Sequence, residues 1–480
     1  MNANIMDEIK AQEHQVLSVS EMNGNGEILS SDVLGVTAPT DPLSQTIESP
    51  IPSKSIETPT KKMFVDVPQK PTQKGPEGIL FDFNYGCRIE VPPLPDGQEW
   101  RIKLSDVETG NTIYETSFPG GVVQSSKKYF IPFKIEIWKN SELALEHTLN
   151  LKNKDVLVQI PVGTLGDALA WFPYVPQMQE RHQCRLTCGM SEAIIPLFKE
   201  CYPNINFVPL DKVNPNDYYA SYRIGLFFDD WECTHQPVDF RYAGLHKTAA
   251  YILGVDPIEE PAKISYTKGE REIKEPYVCI AVQSSTQCKY WNQPGGWIEI
   301  VKWLKEKGYR VICIDRDATW GQGVTFTSIP HGAEDRTGNL PLIERAQLLA
   351  HADFFVGLSS GLAWLAWTVG TPVVMISGFT HPNNEFYTPY RVINYHTCNS
   401  CWNDPKHIFD HHDFFWCPRH KGIDRAFECT RLITPAHVKS VISRIPGLLR
   451  GDTPPSNQAD KLSSAKKKTI SLHKIGSAKK

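Results

Sequence analysis

Apolar positions follow two different rhythms along this chain. Between about 76 and 153 they alternate: Ile79, Phe81 and Phe83; Trp100, Ile102 and Leu104; Ile131, Phe133, Ile135 and Ile137. A period of two, broken at Pro95-Asp96-Gly97 and Gly120-Gly121, predicts antiparallel strands in a small sheet or barrel. From 154 the apolar runs become continuous. Residues 156–160 predict a buried strand, Gly163-Thr164-Leu165-Gly166-Asp167 a loop, and Ala168 the start of a helix. The same grammar returns near 275. Strands are predicted at 277–282, 310–315, 353–357 and 371–377, separated by helices carrying Trp297, Ile300, Val301 and Leu304, then Leu342, Ala346 and Leu349, then 361–368. Strands alternating with helices imply parallel sheets, and two such units in tandem imply a cleft between them.

The ends read differently. Residues 1–75 are rich in Ser, Thr, Pro, Asn and Gly, and 1–60 carries nine acidic residues against Lys10 and Lys54. Such a composition predicts disorder. The tail 449–480 has eight Lys or Arg against Asp452 and Asp460 and reads as a solvated basic tail, with an acidic surface or nucleic acid as the alternative partner. A formal net charge of -4 over 480 residues excludes a globally basic nucleic-acid binder. No window has the roughly 18 consecutive apolar residues of a membrane span. The N-terminus lacks the apolar stretch of a signal peptide, so a cytoplasmic protein without stable membrane insertion is expected. Eight of the twelve cysteines are scattered, several of them in strand-like runs, as suits a reducing compartment.

Three groups of residues are candidates for chemistry. Ser359-Ser360-Gly361 stands where a strand gives way to a helix, a place suited to a diphosphate or to an ordinary capping serine. Lys289 follows the first strand of the same unit and either faces those phosphates or lies on the surface. The G-x-x-G-D loop ending at Asp167 lacks the lysine of a P-loop and the third glycine of a dinucleotide fingerprint. Cys398-x-x-Cys401 with Cys417 and Cys429 forms a four-thiolate pattern. Its chemistry favours zinc, with iron as the other choice, and His411, His412 and His420 stand nearby as secondary or substitute ligands. Four thiolates leave no open position, so the expected role is structural. No Asp-x-Asp pair is placed to hold a catalytic divalent ion.

Several blocks carry a resemblance. Glu334-Asp335-Arg336-Thr337-Gly338, then Ser359-Ser360-Gly361-Leu362-Ala363-Trp364-Leu365-Ala366, then Gly370-Thr371-Pro372-Val373-Val374 resemble the C-terminal half of ADP-heptose heptosyltransferases. Those enzymes carry D-x-T-G, N-D-S/T-G-x-x-H-L-A-A and G-T-P-V-V blocks. Here Leu358-Ser359 replaces Asn-Asp and Trp364 replaces the His, so the acidic residue of the phosphate loop is missing. A narrower likeness spans roughly 74–440. It includes GTLGD-x-L-x-WFPY, QPVDFR, YILGVDP, EPYVCIA-x-Q, KYWN, CIDRDA, EFYTP, FDHHDF-x-WCPRH and FECTRLIT, and it is similar to the bacterial autotransporter heptosyltransferase family.

That resemblance implies a cytoplasmic α/β GT-B glycosyltransferase with two Rossmann-like domains. It transfers heptose from ADP-heptose to serines of an autotransporter adhesin passenger, with inversion. It implies Asp167 as the general base, although Asp167 is also suited to cap its helix. It places Thr164, Leu165, Gly166, Lys289, Ser359, Ser360 and Gly361 around the substrate diphosphate. At the end of a neighbouring strand, Asp315 and Arg316 are candidates for the nucleoside, and Gln283 is a further substrate-binding candidate. It also implies one structural Fe3+ per chain at the four cysteines and a homo-oligomer, a dodecamer. The expected organisation is an acidic extension (1–75), a small β-barrel-like domain (76–153), an acceptor-side domain (154–270), a donor-binding domain (271–393), a metal finger (394–430), a closing helix (431–448) and a basic tail (449–480). The competing expectations are a lipopolysaccharide-core heptosyltransferase, and a non-catalytic scaffold stapled by metal.

Overall fold

Runs such as Val156-Leu157-Val158 are buried on both faces, and they form the inner strands of parallel sheets. The computed structural model describes residues 63–161 and 164–447. The basic tail and the acidic extension through residue 62 lie outside the described residues.

In chain order, the first strands are β1 (Gln73–Lys74), β2 (Leu80–Asn84), β3 (Arg88–Val91), β4 (Trp100–Asp106), β5 (Thr112–Phe118), β6 (Gly121–Gln124), β7 (Phe133–Lys139) and β8 (Glu142–Thr148). The first α/β half follows with β9 (Asp155–Gln159), helices α1 (Leu165–Trp171) and α2 (Tyr174–His182), then β10 (Arg185–Met190), β11 (Asn206–Pro209), β12 (Ala220–Arg223) and α3 (Leu245–Leu253). Its sheet has the order β11-β10-β9-β12-β2-β3-β6, with β1 on β2.

That order corrects one expectation. The stretch 76–153 is not a barrel of its own. β2 runs parallel to β12, with Phe83 opposite Ala220, so β2, β3 and β6 extend the first α/β sheet. β5-β4-β7-β8 form a separate four-stranded antiparallel sheet. Phe83 lies between the two layers, 5.2 Å from the Tyr219 ring and 6.3 Å from Phe133. A buried bidentate ion pair, Arg88 Nε to Asp82 Oδ1 at 2.8 Å and Nη2 to Oδ2 at 2.5 Å, ties β3 to β2 at this seam. Alternation marks these segments as strands, but it carries no information about which partner each strand will find.

The second half contains β13 (Tyr277–Ile280), α4 (Gly296–Glu306), β14 (Arg310–Cys313), a hairpin of β15 (Thr319–Gln322) and β16 (Thr325–Ser328), β17 (Glu334–Asp335), α5 (Leu342–His351), β18 (Phe354–Leu358), α6 (Gly361–Thr368), β19 (Val373–Ile376) and β20 (Arg391–Val392). Its sheet, β17-β14-β13-β18-β19-β20, is parallel throughout. Helix α7 (Pro435–Ile442) is capped by Thr434 and packs back on this half, where Lys439 pairs with Glu299 at 2.6 Å.

The segment 394–430 has little regular structure. Its Trp402, Phe409 and Trp416 form an apolar cluster with Phe240 from the first half and with Cys288 and Phe379 from the second. Phe228 joins the edge of that cluster, 4.9 Å from Phe240 and 5.6 Å from Trp402. The finger therefore bridges the two α/β halves.

Candidate active site

The loop after β9 and the loop after β18 meet across the cleft. A Cβ on Gly166 would lie 3.4 Å from Gly361 Cα and 3.1 Å from the Trp364 ring, and a Cβ on Gly361 would lie 3.0 Å from Gly166 N and from Leu165 Cβ. Both positions therefore require glycine for backbone contact. Leu165 forms the packing floor under the start of α6. Trp364, at the position of the motif histidine, is a packing residue, with its ring 5.7 Å from His246 and 4.9 Å from Phe386.

Asp167 sits at the third position of α1 in a reciprocal capping box with Thr164. Its Oδ2 accepts the Thr164 backbone N–H at 3.2 Å and hydroxyl at 3.0 Å. Oδ1 takes part in no hydrogen bond among the described residues. Capping and catalysis are thus compatible, since each uses a different oxygen. Burial pushes the Asp167 carboxyl above its ordinary range, opposed by the Thr164 hydrogen bonds and by the charges of Lys289 and His411.

Lys289 ends a 3-10 turn, Gln287–Lys289, and its Nζ lies 5.4 Å from the Phe379 ring centroid. It has no ion-pair partner among the described residues. A half-buried cation without an ion-pair partner is suited to an anionic ligand. Ser360 supplies a second unfilled valence. It occupies the N-cap of α6 with no side-chain cap bond, and its buried Oγ has no partner. The capping-serine reading therefore fails for Ser360. Its hydroxyl and the free N–H groups of the first turn of α6 remain available to a phosphate.

Ser359 points elsewhere. Its hydroxyl donates to Glu385 Oε1, and Glu385 Oε2 accepts Arg391 Nη2 at 2.8 Å. Glu385 is 2% exposed. The acid missing from the phosphate-loop motif is thus present in space, delivered from a segment 26 residues further on.

Asp315 and Gln283, two of the expected substrate residues, are engaged with neighbouring backbone. Asp315 is buried, and its carboxylate accepts the backbone N–H of Val282 at 2.8 Å and of Gln283 at 3.2 Å. The Gln283 side chain donates to the Asp317 carbonyl at 2.8 Å. Both brace the loop after β13, Asp315 through its carboxylate and Gln283 through its side-chain N–H. Arg316 remains exposed. It lines an open depression with Asp317, Thr337, Gly338 and Asn339, and it pairs with Asp317 at 2.9 Å.

Burial pushes the Asp315 carboxyl up to about 6, against the Val282 and Gln283 hydrogen bonds. The folded protein therefore holds this proton more tightly than an unfolded chain, where the carboxyl titrates near about 3.9. The resulting stabilisation is complete below about 4 and is lost as the pH rises to about 6, on the order of 3 kcal/mol in all. Melting temperature measured across that window should fall with rising pH, and Asp315→Asn should flatten the slope. An unchanged slope in the variant would assign it to other groups.

Cys398, Cys401, Cys417 and Cys429 are all free thiols. Burial pushes Cys398 up to about 12 and Cys401 up to about 11, and it raises Cys429, on which Cys398, Cys401 and Cys417 act next. The Phe427 N–H donates to Cys417 Sγ at 3.5 Å. Four thiols in this spacing suit a cation once they are deprotonated. A tighter trio overlaps this set: ligand atoms of Cys398, His420 and Glu428 lie within 4.8 Å of one another. Of the three histidines expected beside the cysteines, His411 is placed differently, in the field of Asp167 and Lys289.

Two family models match the chain: the N-terminal domain of glycosyltransferase TibC over residues 75–141, and glycosyltransferase family 9 (heptosyltransferase) over 246–409. Autotransporter heptosyltransferase BAHTCr of Citrobacter rodentium is 53% identical over 384 residues, 80% of this chain and 92% of that protein. TibC of Escherichia coli is also 53% identical over 384 residues, covering 80% and 93%. The crystal structure of dodecameric, iron-containing TibC in complex with ADP-D-beta-D-heptose superposes with a TM-score of 0.76 at 52% identity, covering 80% of this chain and 100% of that one. BimC of Burkholderia thailandensis, described as an inactive autotransporter heptosyltransferase, is 43% identical over 421 residues, 87% of this chain and 98% of its own.

Proposed function

The chain belongs to the autotransporter heptosyltransferases, and from that membership we propose that it moves heptose from ADP-heptose to serine hydroxyls of an autotransporter passenger. The observation that carries this reading is the meeting of Asp167, Lys289 and Ser360 at the contact of the two α/β halves, each with an atom left unpaired. It matters because one relative of the same family is described as inactive, so likeness alone does not decide activity.

The mechanism follows from the free groups. The acceptor hydroxyl approaches Asp167 Oδ1 while Oδ2 stays held by Thr164. The proton passes to Oδ1 as the new C1–O bond forms, and the bond from C1 to the diphosphate oxygen breaks. A carboxyl raised by burial is a better proton acceptor than an ordinary one. Lys289, the Ser360 hydroxyl and the first N–H groups of α6 offset the charge that develops on ADP. Attack from the side opposite the leaving group inverts the anomeric centre. Arg316, with Thr337 and Gly338, is the remaining candidate for the nucleoside end.

Cys398, Cys401, Cys417 and Cys429 would hold one structural iron per chain, with zinc the alternative by ligand chemistry. A dodecamer, the state named for TibC, is the proposed assembly. A cytoplasmic location suits both the nucleotide-sugar donor and the thiols. No helix among the described residues is long and apolar enough to cross a membrane.

Intact-mass spectrometry of a passenger fragment co-expressed with this protein tests the reading. Heptose-sized increments are expected with the wild type. With Lys289→Met they should fall roughly 10²- to 10³-fold, the usual scale for a lost charge-stabilising donor. No increment on any passenger, and no turnover of ADP-heptose, would leave the silent scaffold as the answer.

A further inference from the structure

The phosphate loop is held by a segment that the proposed transfer reaction does not yet use. Between β19 and β20 the chain runs through residues 381–391, with one 3-10 turn at Pro382–Asn384. The first α/β half grips this strap on either side of Glu385. The Asn383 side chain donates to the carbonyl of Tyr242, just before α3, at 3.1 Å. The Tyr387 N–H donates to Oε1 of Glu259, just after α3, at 2.7 Å. A Cβ on Gly244 would lie 2.2 Å from the Asn383 carbonyl oxygen, so this close approach needs glycine. Phe386 packs on α6 itself, stacked on Trp367 at 4.9 Å and edge-on to Trp364 at 4.9 Å.

Glu385 lies between these anchors. Its side chain is 1% exposed and that of its partner Arg391 is 9% exposed. An Arg–carboxylate pair is strongest when it is bidentate. Here Arg391 Nη2 reaches one oxygen at 2.8 Å and Nη1 is buried without a hydrogen bond, while the second oxygen of Glu385 accepts the Ser359 hydroxyl. One carboxylate oxygen is thus committed to the phosphate loop. The residue after Ser359 is the N-cap of α6, Ser360, extended at φ −150° and ψ 169° with its Oγ unpaired. Pinning the Ser359 side chain fixes the peptide that carries Ser360 and opens the helix.

We propose that Glu385 is a positioning residue that acts through Ser359, holding the start of α6 so that the Ser360 hydroxyl and the first N–H groups face the donor diphosphate. The inference rests on the heptosyltransferase reading and adds a support to its donor site. Glu385 touches no reacting atom. Its oxygen is placed by Arg391 and by a strap anchored on the first half, so the phosphate loop is in register only when the two halves are seated on each other. Groups that bind a ligand keep their aim when packing and hydrogen bonds behind them lock their rotamers.

The test is ADP binding by calorimetry on the full-length protein, with metal content and melting temperature confirming the fold. Ser359→Ala and Glu385→Gln should each weaken ADP binding roughly 10-fold, and KM for ADP-heptose should rise by a similar factor. Ser359→Thr keeps the hydroxyl and should bind near the wild-type level. The double variant Ser359→Ala/Glu385→Gln should bind no more weakly than the weaker single variant, because residues that act as one unit are not additive. Glu385→Gln leaves Arg391 without its counter-charge. If it does not fold, Glu385→Asp takes its place in the cycle, since it keeps the charge and withdraws the acceptor from Ser359 by one methylene. Wild-type ADP affinity in folded Ser359→Ala would overturn the proposal. Losses that multiply in the double variant would also overturn it, and would give Ser359 its own contact with the ligand. A wild-type protein that neither binds ADP nor turns over ADP-heptose would overturn the transferase reading, and this inference with it.

Discussion

Asp167→Asn is expected to lower kcat for heptosyl transfer by roughly 10²- to 10⁴-fold, the range for loss of a positioned general base. Melting temperature and donor binding should stay near those of the wild type. The two roles of Asp167 predict this separation. Its capping role needs only an oxygen that accepts from Thr164, at 3.2 Å from the backbone N–H and 3.0 Å from the hydroxyl. The amide oxygen of the replacement side chain provides that. Its catalytic role needs a second, basic oxygen, which an amide lacks. Calorimetry of ADP-heptose binding alongside kcat measures both. A variant that loses stability and donor binding together would make Asp167 chiefly a cap. A variant that keeps its kcat would move the base elsewhere.

Cys429→Ser is expected to lower the metal content, the melting temperature and the rate together. Loss of a structural metal is among the few single changes that cost more than about 4 kcal/mol. Cys429 is closely packed: a Cβ on Gly378 would come within 2.8 Å of the Cys429 Cβ. The finger core touches both halves through Phe240 and Phe379. Loosening it should therefore open the cleft as well as the finger. His420→Gln separates the two ligand sets that the geometry permits. If the four sulfurs hold the ion, this variant keeps its metal and Cys429→Ser does not. If Cys398, His420 and Glu428 hold it, the pattern reverses. Metal analysis and a thermal melt of both variants decide between them.

Asp167 was legible because its loop, helix start and spacing are local, and so was the cysteine pattern. Lys289 could be read from its place at the end of a strand. Asp315 and Gln283 also follow strand ends, but the same local logic did not give their hydrogen bonds. Their polar groups bind neighbouring backbone, and only the packed loop shows that. Ser360 looked like a cap until its neighbours were in place, and its hydroxyl then proved to be unpaired. Glu385 and His411 lay in resemblance blocks, but the sequence did not show that Glu385 meets Ser359 or that His411 packs on Phe228. Glu385 arrives from 26 residues away along the chain, and His411 arrives on a finger that is short of regular structure.

By itself the sequence determined the main buried strands and the start of α6, and it placed the start of α1 three residues late, at Ala168 instead of Leu165. Periodicity and capping act over a few residues, so they survive in one dimension. Only the tertiary structure decided that β2 joins β12 rather than closing a barrel, that Gly166 and Gly361 meet across the cleft, and that residues 402–416 pack their aromatic rings on Phe240 and Phe379. Those outcomes depend on contacts between distant parts of the chain, where shape and burial select the partner and no short pattern encodes the choice.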